Sequence, residues 1–232
     1  DQGVLQLYYK VGPSPREWWG IVTESIDGGT TWSPARRLPG DLLGPIKNKP
    51  VSLGGGVVLS GSSTEHEGWR VHMERSTDGA RTWTMSEPLN DGKEIGAIQP
   101  TVLDHGEGTV QILCRSRQGR IAESWSKDAG VTWSPLTLTG LPNPNAGADA
   151  VMLKDGRVLL VYNAATKGRE NLSVAVSADG KEWKEAVIVL ENQAGEYSYP
   201  AVIQTPDGLV HVTYTHKRRH IKHVVIDPGK ID

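Results

Sequence analysis

The sequence has no phenylalanine, a single cysteine and no long apolar run. Cys114 is the only cysteine, so the chain can form neither an internal disulfide nor a zinc site built from cysteines. No apolar stretch approaches the roughly 18 residues that a membrane-spanning helix needs. The formal net charge is −2, and the longest basic run, Lys217-Arg218-Arg219, is too short for a polybasic patch. We therefore expect no nucleic-acid partner and no membrane insertion, and we predict neither a metal nor a cofactor.

Glycine, proline and tryptophan are plentiful by contrast. The 27 glycines and 14 prolines among 232 residues suit a chain with many tight turns. Eight tryptophans without any phenylalanine are unusual for a generic core, so we expect the tryptophans to occupy fixed local positions. The length suits one all-β domain, and we assign residues 1–232 to a single domain.

An eight-residue motif recurs along the chain. It begins at Ser25 as Ser-Ile-Asp-Gly-Gly-Thr-Thr-Trp, and copies begin at Ser76, Ser126 and, one residue shorter, Ser177. The Asp-Gly pair permits the positive φ that tight turns demand, and the Asp and Ser side chains can bond nearby backbone amides. We therefore predict hairpin turns closed by structural tryptophans, namely Trp32, Trp83, Trp133 and Trp183.

The segments between these turns have the pattern of β-strands. Alternating stretches such as Leu172–Val176 precede the motif, and pairs of apolar strands joined by glycine turns lie upstream, so each unit of about 50 residues holds four strands. Four-stranded units at this period predict an all-β fold, a β-propeller, whereas an open β-sandwich would not explain the constant spacing. The predicted blades are approximately 1–44, 45–94, 95–142, 143–192 and 193–232.

The two terminal units are incomplete. The first opens at Val4–Tyr9, which matches the second strand of the later units, so its innermost strand is missing. The last unit ends after its third strand, near Asp227. Propellers usually close by completing one blade with strands from both termini, and these two ends do not obviously complete one another.

Polar residues open the predicted innermost strands at a spacing of 50 residues. Because innermost strands line the central channel, these residues predict a polar ring at the rim opposite the motif turns, and hence a ligand site. The alternative is ordinary polarity at strand ends. The four positions are Lys49-Pro50, Gln99-Pro100, Asp149-Ala150 and Tyr199-Pro200.

The repeated motif resembles the Asp-box, or BNR repeat, of sialidases and related proteins. Other segments are similar to the sialidase-like family of six-bladed propellers, and they are Gly44–Pro50, Ser62–Glu65, Asn143–Asn145 and Tyr197–Pro200. The resemblance implies a six-bladed propeller with a whole blade absent before Asp1, and it favours a secreted or periplasmic location. Asp-boxes also occur in propellers with other roles, so the resemblance is more specific for fold than for activity.

The same resemblance implies roles for individual residues. Sialidases hold the substrate carboxylate with three arginines, whose fork binds both oxygens, and use a tyrosine nucleophile assisted by a glutamate, with an aspartic acid/base. Arg117 and Arg169 are similar to the second and third arginines. Tyr199 is similar to the nucleophile, with Tyr197 as the close alternative, and Asp149 is a further catalytic candidate. Additional substrate-binding candidates are Gln99, Lys49, Asn48 and Glu65.

Two departures from the family pattern bear on activity. Gln99 stands where the assisting glutamate is expected, and an amide cannot act as a base. The first arginine and the acid/base belong to the absent blade, so we predict weak or no turnover of sialosides by this chain. The alternative role for Arg117 and Arg169 is an ion pair with a rim carboxylate, while His66 and His216 are expected to be incidental.

These observations favour a sialidase-like glycoside hydrolase, or a truncated relative, acting on terminal acidic sugars of glycans. A non-catalytic carbohydrate-binding propeller is the first alternative, which Gln99 favours. A uronate-directed polysaccharide lyase is the second. The predicted partner is an acidic sugar or glycan in each case, and the oligomeric state stays open.

Overall fold

The computed structural model describes residues 3–231, which form five antiparallel sheets, each made of strands consecutive in sequence. Blade 1 consists of β1 (Leu5–Val11), β2 (Trp19–Ser25) and β3 (Arg36–Arg37). Blade 2 consists of β4 (Val51–Gly54), β5 (Val57–Thr64), β6 (Arg70–Ser76) and β7 (Thr84–Met85). Blade 3 consists of β8 (Ala97–Gly106), β9 (Thr109–Ser116), β10 (Arg120–Ser126) and β11 (Thr137–Pro142).

The remaining two blades follow the same order. Blade 4 consists of β12 (Asp149–Met152), β13 (Val158–Tyr162), β14 (Asn171–Ser177) and β15 (Trp183–Asn192). Blade 5 consists of β16 (Tyr197–Gln204), β17 (Val210–His216) and β18 (His220–Ile226), followed by a 3₁₀ turn over Pro228–Lys230. Within residues 3–231 no helix has the length and apolar character required to cross a membrane.

Blades 2 to 5 pack in succession, with β8 against β4 and β5, and β12 against both β8 and β16. The all-β propeller predicted from the repeat is therefore confirmed. Blade 1 lacks an inner strand and blade 5 lacks an outer one among the described residues, as the sequence pattern indicated. The structure has five blades within residues 3–231, and it does not contain the sixth blade that the resemblance implies.

Burial follows from the position of each blade in this arrangement. In blade 4 the whole of β13, Val158–Tyr162, is buried, because other blades cover both faces of the sheet. In blade 1 the apolar side chains of β1 alternate outward, and Leu5 and Leu7 are 46% and 49% exposed. Ile203 and Ile221 of blade 5 are also exposed. Two apolar sheet faces, one on each terminal blade, thus lack a neighbour among the described residues.

In each Asp-box turn the serine hydroxyl donates to the aspartate two residues later. In the third copy the Ser126 hydroxyl donates to Asp128 and accepts from the Gly130 amide, while Asp128 accepts from the amide and hydroxyl of Thr132. The Trp133 indole then donates to the Gly130 carbonyl at 3.2 Å. Because these contacts are local, the turn holds its shape without help from other blades.

Candidate functional site

Two backbone bulges aim side chains at the mouth of the channel. Gln99 on β8 and Tyr199 on β16 have φ of 59° and 52°, and each precedes a proline. The strand register shifts at both positions, between Ile98 and Thr101 and between Ser198 and Ala201. Residues other than glycine seldom adopt positive φ, which costs roughly 1–3 kcal/mol, and bulges often re-aim a side chain near a functional site.

Arg115, the penultimate residue of β9, lies beside these bulges. Its side chain is buried, with 7% of the residue exposed. Nε and Nη2 donate to the Oδ1 atom of Asn145 at 3.0 and 2.8 Å, and Nη1 donates to the Oε1 atom of Gln99 at 3.3 Å. The ring of Trp69 lies 5.1 Å from the guanidinium carbon. Neutral partners thus hold this guanidinium, which keeps its full positive charge.

Arg169 approaches the same point from the loop between β13 and β14. Its Nη2 donates to the backbone carbonyl of Asn145 at 3.0 Å, and its Nη1 lies 3.3 Å from the Oε1 atom of Glu196. The guanidinium carbon lies 5.6 Å from the centre of the Tyr199 ring. Asn145 therefore links the two arginines, because its side-chain oxygen accepts from Arg115 and its backbone carbonyl accepts from Arg169.

Tyr199 completes the cluster and remains 43% exposed. Burial by itself would raise the pKa of its hydroxyl, but Arg115 and then Arg169, through hydrogen bonding and positive charge, together lower that pKa below its usual value. Two cations beside an accessible phenol are suited to binding an anion, and they favour the phenolate form of the tyrosine.

The structure places Arg117 elsewhere. Its guanidinium carbon lies 4.2 Å from the centre of the Trp69 ring, and its stem packs against Gly96. Arg115, two residues earlier on the same side of the strand, contacts Gln99 and interacts with Tyr199. The structure thus brings Arg115, and not Arg117, together with Gln99 and Tyr199, while Arg117 packs on Trp69 by a cation–π contact.

Asn145 was also absent from the candidates. The only sequence signal was its place in Asn143-Pro144-Asn145, and its positive φ of 57° suits a turn residue that accepts donors on both sides. For the choice between Arg115 and Arg117 the sequence offered no signal, since strand alternation directs both residues to one face.

Asp149 lies inside the channel and is 2% exposed. Its carboxylate forms a salt bridge at 3.1 Å with Lys49 and accepts from the Thr101 hydroxyl and the Val202 amide. These donors reach both oxygens, so the carboxylate ties blades 2, 3, 4 and 5 together. A catalytic role for Asp149 stays a prediction.

Tyr197 is fully buried. Its hydroxyl donates to the carbonyl of Ala194 at 3.3 Å, and its ring packs edge-on against His216 at 5.1 Å. A nucleophile must reach its substrate, so this burial removes Tyr197 from the catalytic candidates and leaves Tyr199 as the only exposed one of the pair.

Below the channel mouth, hydrogen bonds from lysine and asparagine side chains connect the inner strands. Lys47 donates to the carbonyls of Ala148 and Pro200 at 3.0 and 2.7 Å, and Asn48 donates to the carbonyl of Gln99 at 3.0 Å. Burial lowers the pKa of Lys47 to about 8. Asn48 is buried, at 4% exposure, and its amide supports the backbone of the site.

Glutamates border the arginine pair. Glu65 directly follows β5, and its negative charge opposes the lowering of the Arg115 pKa by burial. Glu196 is shared between Arg169 and Arg218, whose Nε lies 2.6 Å from its Oε2 atom. Arg169 therefore has one carboxylate partner in the described structure, whereas the hydrogen-bond partners of Arg115 are the uncharged side chains of Asn145, Gln99 and Tyr199.

The sequence is similar to one protein family and to a known sialidase. A family model described as a BNR repeat-like domain matches residues 1–212. The anhydrosialidase of Macrobdella decora is 26% identical over 198 residues, which cover 75% of this chain and 25% of that protein.

Solved structures resemble the fold at lower identity. The NanB sialidase of Streptococcus pneumoniae aligns with a TM-score of 0.74 at 19% identity, covering 93% of this chain and 37% of that one. A protein of unknown function from Dyadobacter fermentans aligns with a TM-score of 0.77 at 20% identity, covering 94% and 66%. The chain thus spans only a quarter of the anhydrosialidase and about a third of the pneumococcal sialidase, and the structural likeness establishes the fold alone.

Proposed function

Because the chain belongs to the BNR repeat-like domain family, we propose that it is a sialidase-like glycoside hydrolase whose channel mouth binds a terminal acidic sugar. The observation that carries the proposal is the convergence of Arg115 and Arg169 on Tyr199. A guanidinium pair offers parallel N–H donors to both oxygens of a carboxylate. The relationship to an anhydrosialidase points to sialic acid as the acidic sugar.

In this proposal the residues have distinct roles. Arg115 and Arg169 bind the sugar carboxylate, and Asn145 holds the two guanidinium groups at a fixed separation. Tyr199 is the nucleophile, since a neutral phenol avoids repulsion from the carboxylate and its lowered pKa makes the phenolate more accessible. Gln99 orients Arg115, and Glu65 and Lys49 remain proposed as polar groups at the border of the site.

Binding of acidic and neutral monosaccharides tests the proposal. Calorimetric titration should show sialic acid binding to the wild type, with galactose binding far more weakly. Arg169→Ala should lower the affinity for sialic acid about 10- to 100-fold, since hydrogen bonds to charged groups contribute about 1.5–3 kcal/mol. Arg218→Ala is the matched control, because Arg218 shares Glu196 with Arg169 but its side chain is 74% exposed. Equal binding of the acidic and neutral sugars would sink the proposal.

Binding without turnover is the second candidate, and Gln99 is the observation that favours it. A general base contributes typically about 10²–10⁴-fold to a rate, and the amide of Gln99 cannot take the proton of Tyr199. We expect the chain to bind sialic acid yet hydrolyse a fluorogenic sialoside weakly. Ordinary turnover by the purified chain would refute this expectation and return the assignment to a working hydrolase.

We also propose a six-bladed assembly in which a further blade packs between blades 1 and 5. The support is the pair of exposed apolar faces, with Leu5 and Leu7 on β1 and Ile203 on β16. A sheet packed there would bury both faces and pair the open edge of β1. An experimental structure of the protein from its natural source that shows these faces in solvent would contradict the six-bladed assembly.

A further inference from the structure

Four residues around the channel mouth adopt positive φ without being glycine. Lys47, Gln99, Asn145 and Tyr199 have φ of 69°, 59°, 57° and 52°. Such conformations are costly, persist only where surrounding contacts hold them, and cluster at functional sites. Gln99, Asn145 and Tyr199 belong to the proposed acidic-sugar site. Lys47 lies below them, in the segment between β3 and β4, and its strained backbone asks for a reason of its own.

A tight turn directs Lys47 into the propeller. The Asn48 amide donates to the Ile46 carbonyl at 2.9 Å, so the chain reverses over the single residue Lys47. This bond, closed over a residue of positive φ, defines the rare and strained form of the γ-turn. The Ile46 amide in turn donates to the Gly61 carbonyl of β5 at 2.9 Å. Blade 2 therefore fixes the turn, and the Lys47 side chain extends from it towards blades 4 and 5.

The Lys47 ammonium bonds three acceptors. Its Nζ atom donates to the Asn48 Oδ1 atom at 2.7 Å, to the Pro200 carbonyl at 2.7 Å and to the Ala148 carbonyl at 3.0 Å. An ammonium group has three N–H donors, so each donor has one partner. Pro200 directly follows Tyr199, and Ala148 directly precedes β12. One lysine thus holds the starts of two inner strands in place.

Asn48 extends the same contacts to blade 3. Its Nδ2 atom donates to the carbonyls of Gln99 and Ala148 at 3.0 and 3.2 Å. The Lys47 stem fills the space beside Gly147, where a Cβ would lie 2.8 Å from the Lys47 Cε atom and 3.2 Å from the Gln99 Oε1 atom. Lys47 and Asn48 therefore support the bulges of both Gln99 and Tyr199 from below.

We propose that Lys47 and Asn48 are positioning residues of the acidic-sugar site, which hold the Gln99 and Tyr199 bulges at the separation where both side chains meet Arg115. They act on the sugar through those side chains and through Arg115. The proposal rests on the proposed function and deepens it, because it names the groups that set the geometry of the arginine and tyrosine cluster.

The full set of contacts requires the charged form of Lys47. A neutral amine has two N–H donors and a lone pair, so one of the three oxygens would lose its partner. Burial lowers the pKa of Lys47 to about 8, the charge of Asp149 opposes this, and Lys49 and Arg115 add to it. The groups of β1 that line the adjoining cavity are Tyr8, Tyr9 and Lys10. We expect the site to lose its geometry as the pH rises through 8.

Ultraviolet titration of Tyr199 tests the positioning directly, with its phase identified as the one that Tyr199→Phe removes. Lys47→Met keeps the length of the side chain and removes its donors. It should shift the ionisation of Tyr199 upward, because the phenol then recedes from the arginines that lower its pKa. Asn48→Ala should shift it in the same direction, and since Asn48 is uncharged, this shift cannot come from the loss of a nearby positive charge.

Lys10→Met is the matched control. Burial lowers the pKa of Lys10 to about 8 as well, but its Nζ atom donates to the Pro45 carbonyl, away from both bulges. This variant should leave the ionisation of Tyr199 unchanged. An unmoved phase in both Lys47→Met and Asn48→Ala overturns the proposal, and so do equal shifts in Lys47→Met and Lys10→Met.

Calorimetric titration with sialic acid gives the second readout. Lys47→Met should lower the affinity about tenfold at pH 7, and Lys10→Met less than twofold. In a Tyr199→Phe background, which removes the phenol as a titrating group, a change from pH 7 to pH 9 should weaken binding about fivefold. Adding Lys47→Met to that background should abolish this pH dependence, whereas adding Lys10→Met should preserve it.

The two readouts separate this proposal from the function on which it rests. The ultraviolet titration involves no sugar, so it decides the positioning role even if sialic acid does not bind, an outcome that overturns the proposed function. A pH dependence that persists after Lys47→Met assigns the proton to another group and overturns the requirement for charged Lys47. If Lys47→Met does not fold, Asn48→Ala and the pH profile of Tyr199→Phe decide the proposal.

Discussion

The Asp-box rim and the channel mouth lie at opposite ends of the same strands, and they use polar side chains in opposite ways. In an Asp-box turn, Ser126, Asp128 and Thr132 bond to one another within seven residues of chain. At the mouth, Arg115, Asn145 and Tyr199 come from three different blades or their connections. One rim is satisfied locally and repeats, whereas the other depends on the whole propeller and occurs once. The difference separates groups that stabilise blades from groups available to a ligand.

The sharpest test of this separation compares two arginines two residues apart. Arg115→Ala should lower affinity for sialic acid about 10- to 100-fold, because a charge-assisted contact contributes about 1.5–3 kcal/mol. Arg117→Ala should change that affinity less than threefold, since Trp69 and not Tyr199 lies beside Arg117. Titration calorimetry on both variants measures the difference. Equal losses would mean that the mouth extends to Arg117 and that the assignment of Arg115 alone is wrong.

At the opposite rim, a tryptophan should affect stability and leave binding unchanged. Trp133 is partly buried and packs on the core of blades 2 and 3. Trp133→Ala should lower the free energy of unfolding by about 2 kcal/mol, less than the 3–5 kcal/mol for a fully buried aromatic. Urea unfolding gives this value, and titration of the folded variant should return the wild-type affinity for sialic acid. A large loss of affinity per folded molecule would break the division between the rims.

Acid should weaken the Asp-box rim through its carboxylates. Hydrogen bonds from Thr132 and then Ser126 lower the pKa of Asp128 to about 2, and Thr31 does the same for Asp27. A depressed folded-state pKa contributes stability that is present above the unfolded value near 4 and is lost as pH falls towards 2. Thr132→Val should therefore make urea unfolding less sensitive to a change from pH 5 to pH 3. An unchanged sensitivity would show that Asp128 is not held by its threonine.

The smallest expected effect is spectroscopic. Burial raises the pKa of Tyr8 to about 12 and also raises the pKa values of Tyr162 and Tyr214, whereas Arg115 and Arg169 lower that of Tyr199. Ultraviolet titration should show Tyr199 ionising at a lower pH than Tyr8, Tyr162 and Tyr214, and Tyr199→Phe should remove this early phase. Arg169→Ala should shift the same phase upward, and persistence of the phase in Tyr199→Phe would assign it elsewhere.

The blades could be predicted from the sequence because the motif that defines them is repeated. The blades follow from four copies of one motif and from strand alternation, both of which are local patterns. The third strand of blade 5 and the absent inner strand of blade 1 could be predicted by aligning units. The sixth blade came from resemblance alone, and residues 3–231 do not contain it.

The site was harder to predict because it depends on contacts between blades. Alternation places Arg115 and Arg117 on the same face, and both contact Trp69, so only the hydrogen bonds of Arg115 to Asn145 and Gln99 distinguish them. The ring position of Asp149 was predictable, but its burial under Lys49 and Thr101 was not. A spacing pattern identifies which residues reach the channel, and the packing around them decides which still face solvent.

The shared contacts of Arg115 and Arg169 with Asn145 give the protein an unusual response to ionic strength. Of the two arginines only Arg169 pairs with Glu196, so the guanidinium groups that meet at Asn145 repel one another when no anion is bound. Dissolved ions screen that repulsion over a Debye length of about 8 Å at 0.15 M salt. The same ions also screen the attraction between the arginines and an incoming carboxylate. Added salt should therefore raise the unfolding temperature of the unliganded protein while it lowers the affinity for an acidic sugar.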